Sequence, residues 1–197
     1  MNFKEYKYLI YTDLSRLEEI SSFKKFLSNI LFNVGFRYCF LLRSIKYLRT
    51  KKILKIIFYP FIRVLFKHNT YKYGINISTL NIGAGFYIGH FGGIFINRNV
   101  IIGDNVNINH DVTIGIQNRG ERKGSPTIAN NVYIGPGAKL FGNIKIGDNA
   151  AVGANAVVTK DVPENAVVVG IPAKIISHKG SAGYINNTDY KNFDEFN

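Results

Sequence analysis

Cysteine is almost absent: Cys39 stands alone in 197 residues. One cysteine cannot form an internal disulfide, which excludes the stapled secreted scaffolds and fits a reducing compartment. It reads as a small buried apolar group rather than a nucleophile. Long hydrophobic runs are missing as well. The most apolar window, ILKIIFYPFIRVLF at residues 53–66, is interrupted by Lys55, Pro60 and Arg63, whereas a spanning helix needs about 20 apolar residues. No transmembrane helix is expected. The opening MNFKEYKYLIYTDLSRLEEI carries acids early and has no small-residue cleavage site behind an apolar run, so no signal peptide is read and a cytoplasmic location is expected.

Acidic residues are scarce, 13 against 25 Lys and Arg, and the imbalance is local. Residues 1–72 hold 15 basic and 4 acidic side chains, while residues 73–197 hold 10 and 9. Three readings of the basic third stand side by side: a nucleic-acid patch, contact with an anionic membrane surface at its inner face, or helices packed together with a basic exterior. No nucleic-acid motif accompanies the charge, so no nucleic-acid partner is expected.

What is present falls into two periods. Residues 3–67 contain no glycine except Gly35, and apolar residues such as Phe23, Phe26, Leu27, Ile30 and Leu31 recur at helical spacing. Helices are expected near 3–11, 13–19, 22–33, 35–50 and 51–67, with breaks or kinks at Gly35 and Pro60. From about residue 74 the step becomes six. Ile82 and Ile88 begin it; Ile96, Ile102, Ile108 and Ile114 follow; then Ile128, Ile134, Leu140, Ile146, Val152 and Val158. Six is neither a helix nor a strand period; it marks a parallel β-helix in which each hexapeptide is a short strand plus a turn. Three hexapeptides make one triangular coil, stacked on the next at about 4.8 Å. The inward residues define three sides: side A with Ile82, Ile102, Ile128 and Ile146; side B with Ile88, Ile108, Ile134 and Val152; side C with Ile96, Ile114, Leu140 and Val158.

The period slips twice, by two residues in GHFGGIFI and by eight within GIQNRGERKGSPT. Insertions in a solenoid leave the stack as loops on one face. The first slip contains His90, two residues after Ile88, and His110 stands two residues after Ile108. They occupy one place in adjacent coils, so their side chains should lie one above the other on the same edge. This is either a solvated ladder or a reactive edge. Glycine packs nothing in a strand, so its density around His90 needs a reason. His68 and His178 read as structural or exposed. Two stacked histidines without a third ligand do not make a zinc site, and no metal is expected.

The stretches YIGHFGGIFIN, IGDNVNINHDVTIG and IGPGAKLFGNIKIGDNAAVGANAVVTKDVPENAVVVGIPAKII resemble the hexapeptide-repeat acyltransferases, most closely the serine acetyltransferase-like branch, over about residues 70–178. FNVGFRYCFLLR resembles its glycan-modifying members. The resemblance implies a mainly β fold, a left-handed parallel β-helix with an N-terminal α-helical region, assembled as a homotrimer. It implies transfer of an acetyl group from acetyl-CoA to a hydroxyl without an acyl-enzyme intermediate. His90 falls on the family's catalytic turn and would be the general base, with His110 in its neighbourhood and bare glycine corners admitting the substrate. The family's coenzyme contacts fall on Gly135, Gly153, Ala154, Thr159, Lys160 and Lys174; the lysines would meet phosphates as point charges, or else are plain solvated surface.

Three positions depart from serine enzymes. The aspartate that orients the base corresponds to Asn76, which accepts a hydrogen bond but brings no charge. The aspartate before the catalytic histidine is Gly89, and the histidine before proline in the long loop is Ser125. An amino acid needs a partner for each charged end. The expected acceptor is therefore a neutral sugar hydroxyl of a cell-surface polysaccharide, with serine as the alternative and a metal-dependent or non-catalytic trimer as a third reading. The expected organisation is 1–72 basic and helical, 73–178 β-helix, and 179–197 a polar, poorly ordered tail.

Overall fold

The computed structural model describes residues 1–17, 23–190 and 193. Five helices come first: α1 (Phe3–Ser15), α2 (Phe23–Phe32), α3 (Val34–Leu48), α4 (Lys52–Ile57) and α5 (Tyr59–Tyr73). Asn2 caps α1 in a capping box, its Oδ1 accepting from Glu5 N at 2.8 Å while Glu5 Oε2 accepts from Asn2 N at 2.8 Å. Asn33 caps α3 by a single bond, its Oδ1 accepting from Phe36 N at 2.9 Å.

The helix boundaries differ from the expected ones for identifiable reasons. The first two expected helices are one, because Thr12 and Asp13 continue α1 and use their side chains against the following domain; residues 18–19 and 22 of the expected helices lie outside the described residues. Gly35 is no break. It sits in the first turn of α3, where a Cβ would lie 2.5 Å from the Ile88 carbonyl oxygen. Its role is to let the helix touch the β-helix. Pro60 does divide the last segment, standing in the first turn of α5, where its missing N–H costs nothing. α5 then runs on to Tyr73 and stops at Gly74 in the left-handed conformation, φ 62°.

The remainder is a three-sided parallel β-helix. Side C is a five-stranded sheet made of Ile75–Ile77, Ile94–Ile96, Thr113–Gly115, Lys139–Phe141 and Val157–Val158. Side A stacks Ile101–Ile102, Thr127–Ile128 and Lys145–Ile146, with Ile82 and Val162 bridged at its ends. Side B stacks Tyr87–Ile88, Asn107–Ile108, Tyr133–Ile134, Ala151–Val152 and Val167–Val169, and ends in an antiparallel strand, Lys174–Ser177. The register is the six-residue one: Ile88 opposite Ile108, Ile108 opposite Ile134, Ile134 opposite Val152. All twelve stacked aliphatics are buried. A second inward layer, two residues earlier in each hexapeptide, is filled by Val100, Val106, Val112, Val132, Ala138 and Ala150. The turn residue just before this layer takes positive φ in coil after coil, and Asn serves there at 105, 131, 149, 155 and 165. Asn105, Asn131 and Asn149 join into a side-chain ladder along one edge.

The open first coil is closed by the helices. Tyr38, Cys39 and Leu42 of α3 enter its core. Burial holds the Cys39 thiol well above its ordinary value, so it remains a neutral apolar group. Around this plug lies a buried ion pair. Arg43 donates to both Asp13 carboxylate oxygens, at 2.9 and 3.0 Å, and to the carbonyls of Ile82 and Gly83. Asp13 also accepts from Phe86 N at 2.9 Å. Burial works against the charge on Arg43, but Asp13 beside it holds the guanidinium above its ordinary value.

The described part of the tail is held by contacts. Ser181 Oγ donates to Asn131 O at 2.6 Å, the Tyr184 ring stacks on Tyr133 at 4.3 Å, and Asn107 Nδ2 donates to Tyr184 O at 2.8 Å. Arg16, buried at the end of α1, donates to Asn186 O, Gly85 O and Asn107 Oδ1. Polar composition suggested disorder; the asparagine edge supplies the partners that hold the segment. Residues 191–192 and 194–197 of the expected tail lie outside the described residues.

Removing one member of the Asp13–Arg43 pair leaves an uncompensated buried charge. Asp13→Ala should lower unfolding free energy by about 3–5 kcal/mol, read from urea denaturation, and Asp13→Leu/Arg43→Met should lose less than the single variant. A single variant with an unshifted midpoint contradicts this assignment.

Candidate active site

The edge between sides B and C carries the corners Gly89-His90-Phe91-Gly92-Gly93, Asn109-His110-Asp111, Gly135-Pro136-Gly137 and Gly153-Ala154-Asn155. His90 and His110 stand on this edge one coil apart, both exposed, with ring centroids 5.9 Å apart and planes at 73°. Corner-to-corner bonds hold the edge: Asp111 N donates to Gly92 O, Gly137 N to His110 O and Asn155 N to Pro136 O.

The two-residue slip has a visible purpose. A Cβ on Gly93 would lie 1.9 Å from Asp111 Oδ1, and Gly93 has φ 65°. The bare backbone makes room for a carboxylate beneath the histidine turn. Asp111 is the single acid among the non-glycine corner residues with positive φ; the others are asparagines. Lys139, paired with Thr113 in the sheet, reaches to the same corner, donating to Asp111 O and to Thr113 Oγ1 at 3.1 Å. The turn also meets the helices, since Phe91 packs edge-on against Tyr73 of α5 at 5.3 Å. Neither Asp111 nor Lys139 is apparent from the period. The available signal is that Asp111 follows His110 and is acidic where the pattern wants asparagine.

The other candidate residues divide by position. Gly135, Gly153 and Ala154 share the histidine edge. Their smallness has a packing cause: a Cβ on Gly135 would lie 2.9 Å from Ala154 N, and one on Gly153 would lie 2.6 Å from Val169 Cγ1. Thr159 and Lys160 follow Val158, at the corner where side C ends, and are exposed. Lys174 opens the terminal antiparallel strand, also exposed. Asn76 lies on the outer face of side C, in a groove of about 300 Å³ with Ser78, Phe95 and Thr113. Among the described residues no hydrogen bond joins it to either histidine; its Oδ1 pairs instead with Ser78 Oγ at 3.2 Å.

The long insertion folds back as a small hairpin, Gln117 pairing with Gly124 in antiparallel fashion, and is pinned through Asn143 N to Arg122 O and through Arg122 to Asp161 at 3.2 Å. It delivers Ser125, whose Oγ is buried with no hydrogen-bond partner. Buried hydroxyls are normally paired.

The family model "Bacterial transferase hexapeptide (six repeats)" matches residues 125–160. The serine acetyltransferase of Helicobacter pylori is 40% identical over 121 residues, which cover 61% of this chain and 71% of that protein. The chain belongs to the serine acetyltransferase family. The Synechococcus elongatus serine acetyltransferase is 44% identical over 99 residues, 50% of this chain but only 41% of the relative, so the chain spans under half the length of some curated relatives it matches. Among solved structures, the Brucella abortus serine acetyltransferase superposes with a TM-score of 0.73 at 28% identity, covering 90% of this chain and 71% of that one; its complex with coenzyme A gives 0.71 at 26%. The likeness agrees with the expected fold class, a left-handed parallel β-helix behind N-terminal helices, and with coenzyme A as the carrier of the acetyl donor.

One expectation is overturned. A sugar of a cell-surface polysaccharide was expected as acceptor and a glycan as partner, yet these relatives are serine acetyltransferases. That expectation rested on Gly89, Ser125 and the likeness of the N-terminal region to glycan-modifying members, and serine acetyltransferases 40–44% identical over 99–121 residues outweigh it. Gly89 has a local cause: a Cβ there would lie 2.8 Å from Asn109 Oδ1. Its bareness leaves room for the Asn109 amide of the next coil.

Gly135→Ala, whose Cβ would meet the backbone of the next coil, should destabilise the chain by about 1–3 kcal/mol through overpacking, seen as a lower thermal midpoint, and Gly89→Asp, which meets only the end of the Asn109 side chain, should cost less. An unchanged midpoint in Gly135→Ala removes the steric explanation.

Proposed function

We propose that the chain is an acetyl-CoA-dependent serine O-acetyltransferase. The observation that carries the reading is the pair of exposed imidazoles, His90 and His110, 5.9 Å apart on a corner edge stripped to glycine, within a chain of this family. His90 takes the proton of the serine hydroxyl as that oxygen attacks the thioester carbonyl carbon. The tetrahedral intermediate collapses by breaking the C–S bond, and the sulfur of coenzyme A leaves with the proton returned by the imidazolium. Backbone N–H groups of the glycine turn are suited to the developing oxyanion.

Both ends of serine need partners; the chain offers a carboxylate from another corner and, in place of the family's loop histidine, a serine hydroxyl. Asp111, leaning under Gly93, supplies a carboxylate for the ammonium. Ser125 Oγ, buried and unpaired, supplies a donor for the carboxylate. Asn76 bears no charge, so the base works without an ionic partner from that position. Gly135, Gly153 and Ala154 form a low track for the pantetheine arm along the histidine edge. Thr159, Lys160 and Lys174, all exposed, are the groups that meet the phosphates. A homotrimer, implied by the family resemblance, would set this edge against a neighbouring chain.

Acetylation of L-serine, followed by release of the coenzyme A thiol, tests the proposal. His90→Ala should reduce kcat by about 10²–10⁴-fold, and His110→Ala by less. Asp111→Asn should raise the KM for serine and leave that for acetyl-CoA unchanged. Failure of the wild-type chain to acetylate serine overturns the proposal, and full activity of His90→Ala overturns the assignment of the base.

A further inference from the structure

The helical region leaves apolar side chains uncovered. α4 buries none of its residues, and Ile53, Ile56 and Ile57, on one helical face, are 72%, 78% and 61% exposed. α5 repeats the spacing with Phe61, Val64 and Leu65, of which Phe61 is 65% and Val64 67% exposed. The opposite face of α5 is the one docked on the protein, through Phe66 against Tyr38 at 4.8 Å and through buried Asn69 and Thr70. Packing of helices with a basic exterior therefore does not account for this composition, since the apolar stripe points away from the core. No helix among the described residues is long and apolar enough to cross a membrane.

Along the sequence the charge around the stripe is of one sign. The sequence has no Asp or Glu between Glu19 and Asp104, while Arg49, Lys51, Lys52, Lys55, Arg63 and Lys67 flank the exposed residues. Two of these cations are held in place. Arg49 Nε and Nη2 reach Tyr59 Oη at 3.3 Å, and Arg63 Nη1 reaches it at 2.9 Å. Burial alone would raise the Tyr59 hydroxyl, but these two guanidiniums bring it below its ordinary value. Each guanidinium has five N–H donors, so most remain turned to whatever lies outside.

We propose that α4 and α5 form a docking face for an anionic lipid surface. The stripe Ile53, Ile56, Ile57, Phe61 and Val64 lies in the interface plane between headgroups and acyl chains, and Arg49, Arg63 and the flanking lysines engage lipid phosphates. A second copy of the chain is the poorer occupant, because two such faces would bring uncompensated positive charge together. A nucleic acid would use the cations and leave the isoleucines and phenylalanine in water. The inference does not depend on the acetyl acceptor.

Vesicle sedimentation tests it. The wild-type chain should bind phosphatidylcholine vesicles containing phosphatidylglycerol at least about tenfold more than pure phosphatidylcholine vesicles at low salt, and lose that preference at high salt. Ile56→Asp/Phe61→Asp should abolish binding, and Arg49→Gln/Arg63→Gln should abolish the anionic preference, both with unchanged circular dichroism. The chain has no tryptophan, so Ile56→Trp provides a unique probe that should shift to the blue on anionic vesicles, independently of whether the aspartate variant folds. Absent or charge-independent binding, or a probe that does not shift, overturns the proposal. So does Ile56→Asp/Phe61→Asp reducing the particle mass in solution, which would make the face an interface between copies.

Discussion

Everything in this molecule depends on inward aliphatic side chains meeting their equivalents one coil away. Each coil has only two or three residues of strand per side, too few for independent stability. It persists because the coils on either side bury its isoleucines and valines and accept its backbone hydrogen bonds. Such a stack has no preferred length and two raw ends. At the first end, α1 and α3 supply the missing neighbours, with Tyr38 and Leu42 as the hydrophobic plug and Asp13–Arg43 as the polar one. The Arg43 contacts with Ile82 and Gly83 satisfy carbonyls that a further coil would otherwise cover.

The corners are free to vary because the sides are not. Side residues are locked by stacking, whereas a corner residue needs only the right backbone conformation and a side chain that tolerates its neighbours. This freedom explains why the edge between sides B and C holds two imidazoles, a carboxylate and a run of glycines, while the asparagine edge holds a hydrogen-bonded ladder that binds the tail. The glycines answer to steric demands of specific neighbours: Asp111 for Gly93, Asn109 for Gly89, Val169 for Gly153.

The β-helix was legible from sequence because its rule is local and repeated; the spacing of twelve aliphatics already defined three sides and their register. The placement of His90 over His110 followed from the same count. What the count misses is any contact between unlike elements. Gly35 looked like a helix break, and only the approach of Ile88 explains it. The first two helices merged because Thr12 and Asp13 have partners in Gly85 and Phe86, far along the chain. Asp111 and Lys139 meet across a coil rather than along the sequence. The acceptor is misjudged for a related reason: the absence of charge at Gly89 is silent on a carboxylate one coil away, at Asp111.

The far end of the stack is finished differently. The strand Lys174–Ser177 turns back and pairs antiparallel with Val167–Val169, against the direction of every other pairing on that side. The rung it presents outward is opened by Lys174, and a lysine on an edge strand discourages pairing by other chains. The reversal thus leaves a charged, antiparallel rung in place of a bare parallel one at the end of a repetitive, self-complementary architecture.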